Sequence, residues 1–185
     1  MTGASNAFPL EVMAESEMSA EMDLAIRGLL VQCFPADAEA FSRSRAWHES
    51  LPAFSVVYRE GKAILGHVGV VVRTVRCGDT PVAVAGVQNL CVVTPRRGTG
   101  LAPRLMLRAM DEAIGRQIRF GLLFCVPELA PFYRWLGWST SHQPVTMLDE
   151  CGRSTPIPEK NIAMFIELSH EPFPGGPIDL NGRDW

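Results

Sequence analysis

The sequence predicts one α/β (α+β) domain, in which flanking helices cover a mixed but mostly antiparallel central sheet. A chain of 185 residues with 47% hydrophobic content is long enough for a single well-buried core. Valine-rich runs separated by turn signals indicate consecutive antiparallel strands. Behind these runs the apolar spacing lengthens from a strand period to a helix period, which indicates a helix between two strands.

The first predicted element after an irregular start is an amphipathic helix. In SAEMDLAIRGLLVQCF, the apolar side chains of Ile26, Leu29 and Leu30 fall on one stripe, and Ser19 is a suitable N-cap. The next segment, PADAEAFSRSRAWHESLP, has mixed polarity and lies between two prolines. It predicts a loop with a short second helix that ends before Pro52.

The middle of the chain predicts an antiparallel meander followed by a crossover. The meander consists of FSVVYRE, AILGHVGVVVRTVRC and PVAVAGVQNLCVV. A helix over LAPRLMLRAMDEA then leads to FGLLFCV, a fully apolar strand of the kind found at a sheet centre. Such a strand-helix-strand unit has parallel strands.

The last third predicts a further helix and two strands. The helix ELAPFYRWLG is stopped by Gly137, and PVTML and NIAMFIEL are the strands. The tail SHEPFPGGPIDLNGRDW is too rich in proline and glycine to be regular. We expect residues 1–185 to form a single domain.

Composition excludes several classes of function. The formal net charge of -3 argues against a nucleic-acid binder. The chain lacks an apolar run long enough for a membrane span, and MTGASNAFPLEV lacks the features of a signal peptide, so we expect a cytoplasmic protein. Five scattered cysteines without a CxxC pair, and four scattered histidines, predict neither a disulfide framework nor a metal site.

The segment PRRGTGLAPRL at 95–105 is a glycine-rich turn that enters a helix. Such a turn presents backbone N–H groups at the positive end of the helix dipole, where phosphate binds. Arg96, Arg97 and Arg104 add positive charge, and Pro103 fits the first helical turn. An ordinary tight connection with solvated arginines is the alternative.

Three phosphate-binding patterns can be compared with this loop. A nucleotide P-loop requires a lysine that the segment lacks. The dinucleotide pattern GxGxxG begins at Gly98 but has Pro103 at the third glycine. The pattern [R/Q]xxGx[G/A] is satisfied by Arg97, Gly100 and Ala102. This pattern, together with the segment FYRWLGW after the next strand, resembles the motifs of the GNAT superfamily of N-acetyltransferases.

The resemblance covers nearly the whole chain and implies a GNAT fold, an acetyl-CoA co-substrate and a small amine acceptor. A narrower similarity, to aminoglycoside 2'-N-acetyltransferases and nodulation protein A, is carried by HVGVVVRTVRCGDTPVAVAGV and PGGPIDLNGRDW. It implies a cationic acceptor such as an aminosugar, with no nucleic-acid or membrane partner, and it allows a homodimer. The alternatives are a longer acyl donor or a non-catalytic acyl-CoA-binding module.

The resemblance also implies roles for individual residues. Tyr133 would donate to the departing sulfur. The cofactor-binding backbone would comprise Leu90, Cys91, Val92, Arg97, Gly98, Thr99, Gly100, Leu101 and Ala102. Gln88 stands where related enzymes have a glutamate base, so a water relay, an acceptor with a low pKa or a loss of catalysis are all open. His67 and Cys91 could contribute to the chemistry but are more typical of core residues.

The acceptor would meet acidic and aromatic residues at the substrate end. Besides Gln88, the resemblance places Asp37, Asp184 and Trp185 at the acceptor, and anionic walls would attract a cationic amine. Further acids are found on later segments and could be either substrate contacts or solvated surface charges: Asp149, Glu150, Glu159 and Asp179.

Overall fold

The computed structural model describes residues 9–185, which contain a ten-stranded mixed sheet. The first eight residues, and with them most of the segment considered for a signal peptide, lie outside the described residues. The strands are β1 (Leu10–Ala14), β2 (Phe54–Glu60), β3 (Ala63–Cys77), β4 (Thr80–Val92), β5 (Phe120–Cys125), β6 (Ser139–Thr140), β7 (Val145–Leu148), β8 (Ser154–Pro156), β9 (Ile162–Glu167) and β10 (Ile178–Asp179).

Four α-helices accompany the sheet in the described part of the chain. Ser19 caps the first of them, because its hydroxyl accepts the Met22 N–H at 3.2 Å. The longest helix follows Gly100, whose φ of 80° is left-handed. The helices are α1 (Ala20–Cys33), α2 (Ala38–Arg43), α3 (Leu101–Gly115) and α4 (Ala130–Trp135).

The strand order confirms the predicted meander and crossover. Along the main path the order is β6-β9-β5-β4-β3-β10-β7-β8, and β2 pairs with both β1 and the first half of β3. Strands β2, β3 and β4 are consecutive and antiparallel, whereas β4 and β5, joined by α3, are parallel. The predicted fold class, a mixed and mostly antiparallel sheet with flanking helices, is confirmed.

The two faces of the sheet are covered by different elements. Successive side chains of a strand point to opposite faces. Phe54 and Val56 of β2 pack in the cluster that contains the apolar stripe of α3, whereas Val57 packs in the cluster of α1 and α2. The C-terminal Trp185 packs in a third cluster, with residues of β4 and β5. Helix α3 and the C-terminal tail therefore pack on residues in the middle of β4, and α1 packs with Cys91 near its end.

Four strands of the structure are missing from the sequence prediction: the short β6 and β8, and the terminal β1 and β10. The irregular start contains β1, which pairs with β2. The tail contains β10, which pairs with Cys77 of β3 through Ile178. It reaches that position because Gly176, with a φ of 104°, packs so closely on Gly78 that an added Cβ would lie 3.0 Å from the Gly78 nitrogen. Tertiary pairing thus overrides the irregular composition of the tail.

The five cysteines are free thiols with different degrees of burial. Cys77, Cys91 and Cys125 are buried, whereas Cys33 is partly exposed and Cys151 is exposed. Within residues 9–185, no helix combines the length and the apolar character that a membrane crossing requires.

His67 is a buried neutral residue of β3. Its Nδ1–H donates to the Asn89 carbonyl oxygen at 3.1 Å, and its Nε2 accepts from the Ser55 hydroxyl at 3.2 Å. Burial lowers the pKa of His67 to about 4. It is therefore a core residue, as its position in an apolar strand suggested, and it supports the backbone of β4.

We predict that His67 makes the fold sensitive to acid. Because the folded-state pKa lies below the unfolded value near 6.5, its stabilising contribution is present above that pH and is lost as the pH falls toward about 4. Between pH 7 and pH 4, urea unfolding of the wild type should lose about 3 kcal/mol more stability than His67→Gln. Parallel losses in the two proteins would contradict the prediction.

Candidate active site

Strands β4 and β5 pair over a short stretch and then separate. The parallel register joins Val84–Val87 to Phe120–Leu123. Beyond it, β4 continues along β3 to Val92, while β5 continues along β9 to Cys125. In the described part of the chain, the facing edges of the two strands have no further strand partner there. A gap with unpaired backbone groups on its walls is therefore present in the middle of the sheet.

A bulge in β4 lies where the separation begins. The register against β3 shifts between His67 and Gly69, so that two residues of β4, Asn89 and Leu90, oppose a single residue. Asn89 has a left-handed φ of 54°, and its carbonyl oxygen accepts the ring N–H of His67. Bulges bend the strand that contains them. Here the bend turns the end of β4 away from β5.

The glycine loop between β4 and α3 has the conformation that a phosphate cradle requires. Gly98 and Gly100 have φ values of 73° and 80°, and an added Cβ at either position would meet no atom within 4 Å. The loop is closed by the Thr99 hydroxyl, which donates to the Arg96 carbonyl oxygen at 2.7 Å. The first N–H groups of α3, from Leu101 onward, follow directly.

The three arginines of the loop have different surroundings. Arg96 forms an ion pair with Glu60 and lines the cavity beside the loop. Arg97 is exposed, and its Nε–H donates to the Val92 carbonyl oxygen at 3.1 Å. Arg104, on α3, has a partner of its own. Arg96 and Arg97 line the cavity beside the loop and supply positive charge there, whereas Arg104 is not among the described walls of that cavity.

Three adjoining cavities run from the glycine loop along the gap to the C-terminus. We call them the loop cavity, about 350 Å³, the middle cavity, about 290 Å³, and the tail cavity, about 270 Å³. The loop and middle cavities share Val92, Arg97, Ala102 and Phe132 in their walls. The middle and tail cavities share Phe34, Leu90, Leu129 and Tyr133. The three cavities therefore form an unbroken series of neighbours from the helix N-terminus to Trp185, which we call the path of cavities.

Tyr133 lies at the junction of the middle and tail cavities. It is 8% exposed and belongs to α4, which turns Ala130 and Tyr133 inward. Burial, with a smaller electrostatic effect of Cys125, raises the pKa of Tyr133 well above the ordinary value near 10. The phenol therefore keeps its proton throughout the physiological range and can act as a hydrogen-bond donor.

Two thiols and a guanidinium share a wall of the middle cavity. Cys33, Cys91 and Arg97 all line it. The neighbouring Cys91 thiol, together with Arg97, lowers the pKa of Cys33 to about 7. The same contact, with burial, raises the pKa of Cys91. Cys33 is therefore the thiol with substantial thiolate character near neutral pH.

Gln88 lines the tail cavity but is bound to a neighbouring loop. Its side-chain oxygen accepts the Trp47 N–H at 2.8 Å and an Asn89 side-chain N–H at 3.2 Å. Its side-chain nitrogen donates to the Ser50 carbonyl oxygen at 2.6 Å. Both ends of the amide are thus occupied, so Gln88 positions the segment 47–50 on β4.

The C-terminal residues close the far end of the gap. The Trp185 indole packs directly on Gly86 of β4, where an added Cβ would stand 2.3 Å from its ring. Phe124 packs against that ring at 5.4 Å, and Arg73 lies above it at 5.2 Å. The buried Nε1–H of Trp185 has no hydrogen-bond partner among the described residues. Trp185 is thus a buried wall of the tail cavity.

Asp184 is held by the segment that Gln88 anchors. Its carboxylate accepts the Nδ1–H of His48, and its backbone carbonyl oxygen accepts the Ser50 hydroxyl at 2.8 Å. Asp184 is 3% exposed and still lines the tail cavity. His48 and Glu49 have left-handed φ values of 42° and 66°. Such a strained pair persists only where its surroundings fix it, and here the tail and Gln88 do so.

The remaining acids of the sequence analysis differ in position. Asp37 lines the tail cavity from its position directly before α2. Asp149 accepts the backbone N–H of Cys151 and Arg153 within its own turn, which lowers its pKa. The described walls of the tail cavity do not include Asp149, Glu150, Glu159 or Asp179.

Several residues of the tail cavity were missing from the sequence prediction. They are aromatic or polar side chains brought together from distant segments: Phe34, Phe41, Trp47, Phe124, Lys160 and Asn161. Periodicity marks such residues as core, since local sequence does not show which of them surround a cavity. The placement of Gly86 inside a strand is the one local signal, because an interior glycine indicates a close approach.

Solved structures with this fold are N-acetyltransferases. The GNAT family N-acetyltransferase YhbS from Escherichia coli, in complex with CoA, has a TM-score of 0.66 at 16% identity, over 97% of this chain and 93% of that one. An aminoglycoside 6'-N-acetyltransferase complexed with coenzyme A has a TM-score of 0.58 at 14% identity, over 88% and 99%. The ribosomal-protein-S18-alanine N-acetyltransferase from Escherichia coli has a TM-score of 0.57 at 14% identity, over 89% of this chain and 97% of that one.

The fold is therefore that of the GNAT acetyltransferases, and the sequence agrees. The family model described as acetyltransferase (GNAT) domain matches residues 14–141. The chain belongs to this family, as the loop and FYRWLGW motifs predicted, and it is an acetyltransferase rather than a non-catalytic binding module. A search of curated proteins finds no significant match.

We predict that Cys33 reacts with iodoacetamide with a midpoint near pH 7, because Cys91 and Arg97 stabilise its thiolate. Cys91→Ala should move the midpoint to higher pH. Peptide mass spectrometry at Cys33 measures the rate, and the exposed Cys151 provides a reference in the same sample. Identical pH profiles for the wild type and Cys91→Ala would contradict the contact.

Proposed function

We propose that residues 1–185 form a single GNAT domain that transfers the acetyl group of acetyl-CoA to a primary amine of a small cationic molecule. The observation that carries the proposal is the path of cavities along the gap between β4 and β5. Its ends differ in chemistry. One end offers helix N–H groups and arginines, and the other offers aromatic rings and a carboxylate.

The loop cavity suits the pyrophosphate of the coenzyme. Gly98 and Gly100 leave open space where side chains would otherwise stand, so an anion can approach the N–H groups from 97 to 102. Arg96 and Arg97 supply positive charge at the same cavity. The pantetheine arm would then occupy the middle cavity, where the unpaired edge of β4 at Leu90–Val92 can bind it like an added strand.

This arrangement would bring the thioester to Tyr133, at the entrance to the tail cavity. The neutral amine attacks the thioester carbonyl, and the developing oxyanion is stabilised by a backbone N–H of the β4 edge. Tyr133 donates a hydrogen bond to the sulfur as the bond breaks. From ordinary values, full proton transfer from a phenol to a thiolate costs about 2 kcal/mol, and the raised pKa of Tyr133 increases that cost.

The base that the sequence left open is not Gln88, whose amide is occupied. Asp37 and Asp184 are the carboxylates in the walls of the tail cavity. Asp184 is already paired with His48, so we assign Asp37 to the acceptor ammonium group. The amine loses one proton to water in the cavity before attack, because only the neutral amine is nucleophilic. As the tetrahedral adduct collapses, the nitrogen releases a second proton, which passes through water to the departing thiolate.

The walls of the tail cavity favour an amine attached to a ring. Its aromatic residues can stack on the faces of a sugar, while Asp37 attracts the positive charge. At about 270 Å³ it is smaller than most sites for drug-sized ligands, so we expect one aminosugar ring inside it. The resemblance to aminoglycoside 2'-N-acetyltransferases and nodulation protein A supports this acceptor. That the protein can form a homodimer and that it binds no metal both remain predictions.

A longer acyl donor is the second candidate. The apolar and aromatic side chains around the tail cavity could also accommodate an acyl chain instead of a bulky acceptor. A panel of acyl-CoA donors with one aminosugar acceptor, followed by release of free CoA, separates the two. Turnover that is highest with acetyl-CoA supports acetylation, and turnover that rises with chain length supports the second candidate.

We predict that Tyr133→Phe lowers kcat about 100-fold with little change in the Kd of acetyl-CoA, because the donor acts mainly in the transition state. Steady-state kinetics and calorimetry measure the two quantities. Unaltered turnover would return Tyr133 to a packing role.

We predict that Asp37→Asn raises the KM of a cationic acceptor about tenfold, because a charge-assisted hydrogen bond is lost. The KM of acetyl-CoA should not change. Glu39→Gln is the matched control, since Glu39 is exposed on the adjoining helix and lies outside the described walls of the tail cavity. Equal effects of the two substitutions would remove Asp37 from the site.

A further inference from the structure

An exposed tryptophan stands at the outer end of the path of cavities. Trp135 is 73% exposed, more than any other large hydrophobic side chain among the described residues. It is the last residue of α4, on the side opposite the buried Tyr133. Its exposure indicates that packing of the core does not require the indole. Single exposed apolar residues are common, but an exposed tryptophan beside a binding cavity indicates a ligand contact.

The surroundings of Trp135 define the chemistry of that ligand. Its side chain lines the loop cavity together with Phe132, Pro103 and the glycine loop. Arg96 and Arg97 line the same cavity. An aromatic surface beside cations and helix N–H groups is complementary to a flat base joined to phosphates. A plain inorganic anion would use the loop and the arginines but would leave the indole without a function.

We propose that Trp135 is the stacking platform for the adenine of the coenzyme. This inference rests on the proposed function, because it takes acetyl-CoA as the molecule whose pyrophosphate occupies the glycine loop. The adenosine 3',5'-bisphosphate end then lies outside the loop, against the indole face, while the pantetheine arm enters the middle cavity. Trp135 contributes to the affinity for the coenzyme and is remote from the reacting atoms at Tyr133.

The position of Trp135 separates this role from catalysis. The loop cavity adjoins only the middle cavity through shared walls, whereas Tyr133 lies at the other end of the middle cavity. Substitution of a residue that binds the nucleotide equally in the ground state and the transition state raises KM and does not change kcat. Loss of the stacking contact should therefore weaken only the binding of donors that contain the nucleotide.

The test compares two donors that differ only in the adenosine 3',5'-bisphosphate. Calorimetry and kinetics are measured with acetyl-CoA and with S-acetyl-4'-phosphopantetheine, for the wild type and Trp135→Ala. We expect Trp135→Ala to raise the Kd and KM of acetyl-CoA about tenfold, from the loss of one base-aromatic stack, with kcat unchanged. Its Kd for S-acetyl-4'-phosphopantetheine should equal that of the wild type.

Two further variants provide controls. Leu107→Ala truncates another exposed side chain, 54% exposed on α3 and outside the described walls of the three cavities, and should leave both donors unaffected. Trp135→Phe keeps a ring and should recover most of the affinity. Adenosine 3',5'-bisphosphate should quench the tryptophan fluorescence of the wild type, and this quenching should be absent in Trp135→Phe.

The outcomes separate this inference from the proposed function. If Trp135→Ala weakened the binding of both donors equally, or of neither, the stacking platform would be overturned. The acetyltransferase proposal would stand in either case. A wild type that binds neither donor would overturn the proposed function itself. Quenching that persists in Trp135→Phe would also overturn the platform, because the signal would then come from another tryptophan.

Discussion

The short pairing of β4 with β5 is the constraint on which the rest of the site depends. The strands are joined over Val84–Val87 and Phe120–Leu123 and then separate, because Asn89 and Leu90 form a bulge. A sheet that continued to pair would bury the backbone groups that now line the gap. The path of cavities and the position of Tyr133 both follow from this separation.

The bulge is itself maintained by buried polar contacts. His67, neutral because it is buried, donates to the Asn89 carbonyl oxygen, while the Gln88 side chain secures the 47–50 segment over the same part of β4. That segment in turn holds Asp184, and Trp185 closes the gap on Gly86. Gln88 therefore supports the wall of the site, and its occupied amide takes no part in proton transfer.

Features that depend on local chemistry could be predicted from the sequence. The crossover follows from a change of apolar period, and the cradle follows from Gly98 and Gly100 ahead of a helix. Contacts between distant segments could not be predicted. Examples are the bonds of Gln88 to the 47–50 segment and the contact of Cys33 with Cys91. Strands β1 and β10 were also missed, because their pairing partners rather than their composition define them.

Amide hydrogen exchange can detect a coenzyme bound between β4 and β5, because the coenzyme would cover particular backbone groups. We expect acetyl-CoA to slow exchange in peptides covering residues 89–92 and 97–102, whereas adenosine 3',5'-bisphosphate should slow only the second region. Protection that is confined to other segments, or that is absent from residues 89–92 with saturating acetyl-CoA, would contradict a coenzyme bound between β4 and β5.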